Sequence, residues 1–381
     1  MRLDTKLPKV GTTIFSVMSQ LAVEHKAVNL GQGFPDFEPP ETLREAVTRA
    51  MADGHNQYAP GIGMPALREQ IALKTERMHG RRVSPDTEVT VTSGATEAIF
   101  AAIAAVVRAG DEVIVFDPAY DCYEPAINLQ GATAVHLPLQ APSFHIDWQR
   151  VRESITPRTR MVLINSPHNP TGAILAASDL DTLAELVRGT DIVVLSDEVY
   201  QHIVHDGAEH QSVWRHEELA TRSFVVGSFG KTWHCTGWKV GYCVAPKALS
   251  AEFRKVHQYL TFCTFRPAQV ALAEALENDA AHYQGLSAFY QARRDRFRAL
   301  LQDSRLTCLD VEGGYFQLVD YSAIRDTDDI NFSEWLVREA GVAAIPLSPF
   351  YATPPSSRLL RLCFAKNDAT LEAAAERLRL L

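Results

Sequence analysis

Ser223-Phe-Val-Val-Gly-Ser-Phe-Gly-Lys-Thr-Trp-His-Cys-Thr-Gly-Trp-Lys-Val-Gly241 places a lysine directly behind a short apolar segment. Ser223 to Val226 reads as a buried strand, and Lys231 follows among small residues. Lys239 stands eight positions further on. A lone lysine is normally a solvated surface group. One that leaves the end of an apolar strand, between Ser228 and Gly237-Trp238-Lys239, is set up instead to attack a carbonyl and hold it as a Schiff base.

Outward from this stretch, short apolar strands alternate with helices. Strands are expected over 88–92, 112–116, 161–164, 192–195, 223–226 and 240–245. Helices are expected over 41–51, from about 65 to 78, over 95–108, near 123, and over 178–188 and 248–259. That rhythm predicts an α/β fold with a mainly parallel sheet covered on both faces. After about Arg266 the pattern changes. A long helical stretch runs over 268–301, broken near Asn278-Asp279; strands follow over 315–319, 343–345 and 359–364, and a last helix over 368–380. The first thirty residues read as an arm leading into the irregular, Gly- and Pro-rich segment Asn29–Pro40. We therefore expect an arm and loop over 1–40 that joins a smaller α+β domain, a large domain over 41–265, and a linking helix with the rest of the small domain over 266–381.

Composition narrows the function classes. The 381 residues carry 37 basic and 46 acidic side chains, a net charge of -9 that disfavours a nucleic-acid partner. Six cysteines form no CxxC pair, so neither a zinc ribbon nor a thioredoxin-like motif is indicated. His202, His205 and His210 lie close together without a zinc-like carboxylate spacing, and no metal is expected. No apolar run of signal length opens the chain, and 98–107 is too short to span a bilayer. A reduced, cytoplasmic protein is expected.

Five polar clusters fall just past predicted strands: Ser93-Gly94-Ala95-Thr96, Asp117–Tyr120, Asn165–Asn169, Asp197–Tyr200 and Ser228–Lys231. Ligands of open α/β sheets bind at that edge. Asp197 ends a Val-rich strand, where a buried acid needs a partner. The protonated nitrogen of a pyridoxal ring is one such partner; the alternative is a helix cap. Tyr200 could bond the ring's phenolic oxygen. The small residues at 93–96 let backbone N–H groups approach a phosphate. Gly61-Ile-Gly-Met-Pro-Ala66 matches a dinucleotide fingerprint, but no apolar strand precedes it and no acidic residue ending a second strand follows about twenty residues later, which disfavours that use.

Together these motifs resemble the class I/II, fold-type I pyridoxal-phosphate aminotransferases, from Asn29-Leu-Gly-Gln-Gly-Phe-Pro-Asp36 to Arg361-Leu-Cys-Phe364. Within that family the chain is most similar to the methionine and kynurenine/glutamine branch, through LGQGFPDFEPP, QYAPGIGMPALR, FDPAYDCYEPAI and GKTWHCTGWKVG. The resemblance implies a seven-stranded sheet and pyridoxal 5′-phosphate as cofactor. It implies that Lys231 holds the cofactor and shuttles the proton, that Asp197 pairs with the ring nitrogen, and that Tyr200 and Asn169 bond its O3′. Tyr120 would stack on the ring. Gly94, Ala95, Thr96, Ser228 and Lys239 would hold the phosphate. Arg361 would grip the substrate carboxylate, with Gly33 and Asn169 beside it. Tyr58 would reach the neighbouring subunit's phosphate, which implies a homodimer with shared sites. The implied reaction is ping-pong transfer from an L-amino acid to a 2-oxo acid.

Three departures bear on substrate. Lys239 stands where many relatives have arginine, Gly230 where many have serine, and Arg266 where relatives often carry a small polar residue. Phe15, Phe34 and Tyr120, with Phe350 and Tyr351, are candidates for an apolar pocket, which suits methionine. Apart from Arg266 no second arginine is marked for a dicarboxylate. Kynurenine, glutamine and a cysteine-conjugate β-lyase reaction are the alternatives, and a catalytically silent regulator is disfavoured by the intact Lys231, Asp197, Tyr200 and Arg361.

Overall fold

The computed structural model describes residues 4–381, so the first three residues of the expected arm lie outside the described chain. Its centre is a seven-stranded sheet: β1 (Val89–Thr92), β2 (Glu112–Asp117), β3 (Thr133–Pro138), β4 (Thr159–Asn165), β5 (Val193–Asp197), β6 (Ser223–Ser228) and β7 (Gly241–Val244), in the order β1-β7-β6-β5-β4-β2-β3. β7 runs antiparallel to both neighbours; every other pair is parallel. The expected mainly parallel sheet is what forms.

Its strands are apolar on both faces because both faces are covered. Val113 and Val115 of β2 enter one core with Leu195, Phe224 and helix Gly94–Val106. Ile114 and Phe116 enter the other, with Val162, Val194 and helices Pro65–His79 and Ala177–Val187. The two-residue period of a strand does this sorting. β3 was not expected. It is an edge strand, largely half-exposed and closed by Pro138, so it lacks the apolar run that marked the others.

The chain ends meet beside this sheet. Thr307–Cys308, Phe316–Asp320, Leu359–Cys363 and Ile345–Pro346 form a four-stranded antiparallel sheet. Val28–Asn29 pairs in parallel with Val342–Ala343. The single strand expected over 343–345 is thus two short ones in different ladders. The long helical stretch divides into Arg266–Asn278 and Ala280–Leu301, at the expected break.

The expected arm contains a helix that was not anticipated. Ile14–Glu24 is an α-helix, capped by Thr13, whose side chain accepts from the Ser16 N–H at 3.3 Å. Met18 and Ala22 bury against Val337, Ala343, Ile345 and Phe350. Its stabilising partners lie more than 300 residues away in sequence, so local periodicity shows little of it. Among the described residues no helix is long and apolar enough to cross a membrane.

Candidate active site

The carboxyl ends of β2, β4, β5 and β6 open onto a cavity of about 370 Å³. The parallel crossovers turn these ends the same way, which is why separated polar clusters converge there.

Asp197, the last residue of β5, is buried. Its Oδ2 accepts from the Tyr123 hydroxyl at 2.7 Å and its Oδ1 from the Val199 N–H at 3.3 Å. Burial pushes its carboxyl up to about 6, against these two bonds. No basic side chain among the described residues is in ion-pair contact with it, so a protonated ring nitrogen fits its vacant charge. Asp197 caps no helix; its bond to Val199 closes a turn.

Lys231 lies in the short helix Phe229–Thr232 after β6. Its Nζ donates to the Gly33 carbonyl at 3.1 Å and to the Tyr315 hydroxyl at 2.8 Å, while Tyr315 donates to the same carbonyl at 2.6 Å. Burial, with Arg361 and Lys239 nearby, lowers the amine to about 8, so a useful fraction is nucleophilic near neutrality. Tyr200 stands 5.6 Å from Nζ to its ring centroid and meets Tyr315 edge-on. Burial raises its hydroxyl's pKa, as it does that of Tyr120, which hydrogen-bonds to Thr96.

An anion cradle lies at the opening of the thirteen-residue helix Gly94–Val106. Gly94 takes a φ of +76°, and a Cβ there would sit 3.2 Å from Lys239 Nζ. A Cβ on Gly241 would lie 2.8 Å from the Gly94 carbonyl carbon and 2.9 Å from the Ala95 nitrogen. Two glycines thus let strand and helix end close up beneath the Lys239 amine. Below, Glu97 binds the Ser93 N–H at 3.0 Å and His257 at 2.8 Å, and His257 reaches the Gly61 carbonyl at 2.7 Å. The Gly61–Ala66 motif is therefore a packing turn: a Cβ on Gly63 would lie 2.4 Å from the Val91 side chain.

Arg361 is fully buried on Leu359–Cys363. One guanidinium nitrogen donates to Asn169 Oδ1 at 3.0 Å and another to the Gly31 carbonyl at 2.6 Å. Nε has no partner, and no carboxylate among the described residues is in ion-pair contact with the group. A cation buried at this cost fits an anionic ligand that supplies the missing charge. Phe316 and Phe15 lie against it at 4.0 and 5.1 Å to the ring centroids.

The structure gathers Phe15, Gly33, Gly94, Ala95, Thr96, Tyr120, Asn169, Asp197, Tyr200, Ser228, Lys231, Lys239 and Arg361 around this one cavity, with Phe34 at its wall. Tyr58 is not brought in: it is 79% exposed, edge-on to Phe262. Phe350 packs behind Phe15 at 5.4 Å instead of lining the cavity, and Tyr351 is buried elsewhere. Arg266 opens its helix outside the cavity. His202, His205 and His210 are buried, and the described residues hold no metal-binding cluster. Sequence reasoning missed Tyr123, Tyr315 and Thr236. Tyr123 lay inside a quoted motif, but only the fold aims it at Asp197. Gly230 leaves no room for a side chain in this fold, since a Cβ there would be 2.9 Å from Thr236 Cα.

Comparison with known proteins agrees with this geometry. Residues 25–378 match the family model described as aminotransferase class I and II. The chain is 54% identical over 378 residues to methionine aminotransferase of Escherichia coli K12, covering 99% of this chain and 98% of that protein. It is 41% identical to a probable N-succinyldiaminopimelate aminotransferase of Mycobacterium tuberculosis, over 99% of this chain and 98% of the relative. A solved E. coli structure with methionine aminotransferase function superposes with a TM-score of 0.97 at 52% identity, over 100% of both chains. The buried lysine, the buried acid and the arginine without a counter-charge are what such a family needs: the chain belongs to the class I and II aminotransferases, enzymes that depend on pyridoxal 5′-phosphate.

Proposed function

We propose that this aminotransferase takes its amino group from an apolar L-amino acid, methionine first, and passes it to a 2-oxo acid. The observation that carries this is Arg361: a buried guanidinium without a counter-charge, backed by Phe316 and Phe15, with Phe34 on the open side. Among the described residues the other cations lining the cavity are Lys231 and Lys239. Both are assigned to the cofactor, so the described wall of this chain offers Arg361 alone for a donor carboxylate and apolar rings for the side chain. The 54% identity to methionine aminotransferase supports the same choice.

Each residue's part follows. Arg361 binds the donor carboxylate, with Asn169 and the Gly33 backbone beside it, and Phe15 bounds the side chain. Asp197 would hold a proton-bearing ring nitrogen, Tyr200 and Asn169 would bond the ring oxygen, and Tyr120 would lie against the ring. Gly94, Ala95, Thr96, Ser228 and Lys239 receive the phosphate. Pyridoxal phosphate, when bound, supplies an electron-withdrawing ring that stabilises negative charge at the donor's Cα. Lys231, lowered toward neutrality by burial, would take the Cα proton as a base and, as an acid, would deliver it to the cofactor's C4′ carbon. General acid–base help of this kind contributes about 10²–10⁴-fold.

The same reading pairs two copies, with Tyr58 reaching the neighbour's phosphate site. Tyr58, Tyr259, Phe262 and Phe265 are all exposed aromatics and give such a pairing an apolar face. It also sets the boundaries at residues 40 and 265, supported by all seven large-sheet strands lying between Val89 and Val244. A cytoplasmic location is supported by six free cysteines.

The test is the absorbance of the cofactor-loaded protein on adding single amino acids. Methionine should convert the Schiff-base band to the amine form fastest, and a 2-oxo acid should restore it. Faster conversion by aspartate or glutamate would overturn the donor assignment. Pyruvate released from a cysteine conjugate without an oxo acid would identify β-lyase chemistry instead.

A further inference from the structure

Four consecutive carbonyls, at residues 31 to 34, all accept from cations. Gly31 O accepts from Arg361 at 2.6 Å, Gln32 O from Lys366 at 3.4 Å, Gly33 O from Lys231 at 3.1 Å, and Phe34 O from Lys366 at 2.7 Å. Lys366 is only 3% exposed, and no carboxylate among the described residues is in ion-pair contact with it. Burying an ammonium against dipoles alone is costly, so the arrangement needs a reason beyond stability.

Phe34 supplies one. Its ring lines the cavity yet is 42% exposed, so packing alone does not fix it. Lys366 holds it twice, through its carbonyl and through the ring face, with Nζ 4.8 Å from the centroid. Lys366 also leaves the same strand that carries Arg361, five residues further on. Next to it the Asn367 N–H and the Thr370 hydroxyl bind Asp36 at 2.6 and 2.7 Å, closing the far side of the loop. One short segment therefore carries both the guanidinium for a donor carboxylate and the hook for the wall its side chain would meet.

We propose that Lys366 is a positioning residue for donor specificity, fixing the Phe34 wall at a set distance from Arg361 so that long apolar side chains are favoured over short ones. This rests on the donor reading above. The tests are Lys366→Met, which keeps length without charge, and Lys366→Arg, which keeps donors. Both are compared with wild type for kcat/KM on L-methionine and L-alanine. Calorimetric affinity of the cofactor-loaded protein for 4-(methylthio)butanoate and for acetate, neither of which reacts, gives a readout apart from turnover.

Lys366→Met should lower methionine kcat/KM and 4-(methylthio)butanoate affinity about 10- to 30-fold. It should change alanine and acetate less than about threefold, and Lys366→Arg should recover most of the loss. An equal fall for long and short ligands, or no fall, overturns the proposal, and the unfolding midpoint of each variant identifies general damage to the fold. A wild-type enzyme with no preference for methionine over alanine would overturn the donor reading, and the proposal with it.

Discussion

Tyr123 donates its hydroxyl to Asp197 at 2.7 Å, across 74 residues of sequence. It is the side-chain bond that opposes the burial of this carboxylate, which already sits at about 6. Without it the carboxyl is protonated at higher pH. Tyr123→Phe should therefore lose about tenfold in turnover and move the acid limb of its pH profile upward. Rates between pH 5 and 8 check both; an unmoved limb would show that Tyr123 only fills space.

Asp197 should also cost the cofactor-free protein stability. Its folded pKa, about 6, exceeds the unfolded value of about 3.9. Between those values the folded state holds a proton that the unfolded state has released, so stability falls as pH rises through the window. The full cost, on the order of 2–3 kcal/mol, is present above pH 6. Cofactor-free Asp197→Asn should melt higher than wild type at pH 7.5 and no higher at pH 4, while losing nearly all activity when loaded.

The lowered amine of Lys231 sets a second pH dependence. With its pKa at about 8, the neutral nucleophile grows as pH rises through that value. Uptake of pyridoxal phosphate by cofactor-free protein should accelerate about tenfold from pH 7 to a plateau above pH 9. Stopped-flow absorbance measures it directly; a midpoint near 10.5 would mean the amine is fully solvated.

Arg361→Lys keeps the charge but gives up the planar pair of donors. It also leaves Asn169 and the Gly31 carbonyl competing for a single ammonium. KM for the amino donor should rise about 10- to 100-fold, with a smaller change in kcat. Steady-state kinetics with methionine decide it, since a loss confined to kcat would place Arg361 outside donor binding.

Gly230→Ser restores the hydroxyl many relatives carry, yet its Cβ would sit 2.9 Å from Thr236 Cα. Backbone gives way poorly, so the variant should lose about 1–3 kcal/mol of stability. A lower thermal midpoint without tighter cofactor binding is the expected result.

Much of this molecule is legible in its sequence because the decisive patterns are local. Six of the seven large-sheet strands show as apolar runs, since a sheet covered on both faces needs no polar alternation. The polar residues that follow those runs necessarily stand at the carboxyl edge, which puts Lys231, Asp197, Tyr200 and Asn169 near one another before any coordinates are known. Edge strand Thr133–Pro138 and helix Ile14–Glu24 escape because neighbours, not local pattern, hold them.

What only the tertiary structure decides is which groups pair across the chain. Tyr123 finding Asp197, Tyr315 finding Lys231, and Lys366 finding the Gln32 and Phe34 carbonyls join residues up to 334 positions apart. Sequence alone determines the residue types and the strand ends they follow, because a strand's period is a property of neighbouring residues. It does not determine these pairings, because they depend on how both chain ends close onto the sheet edge and on which buried charges are left without a partner there.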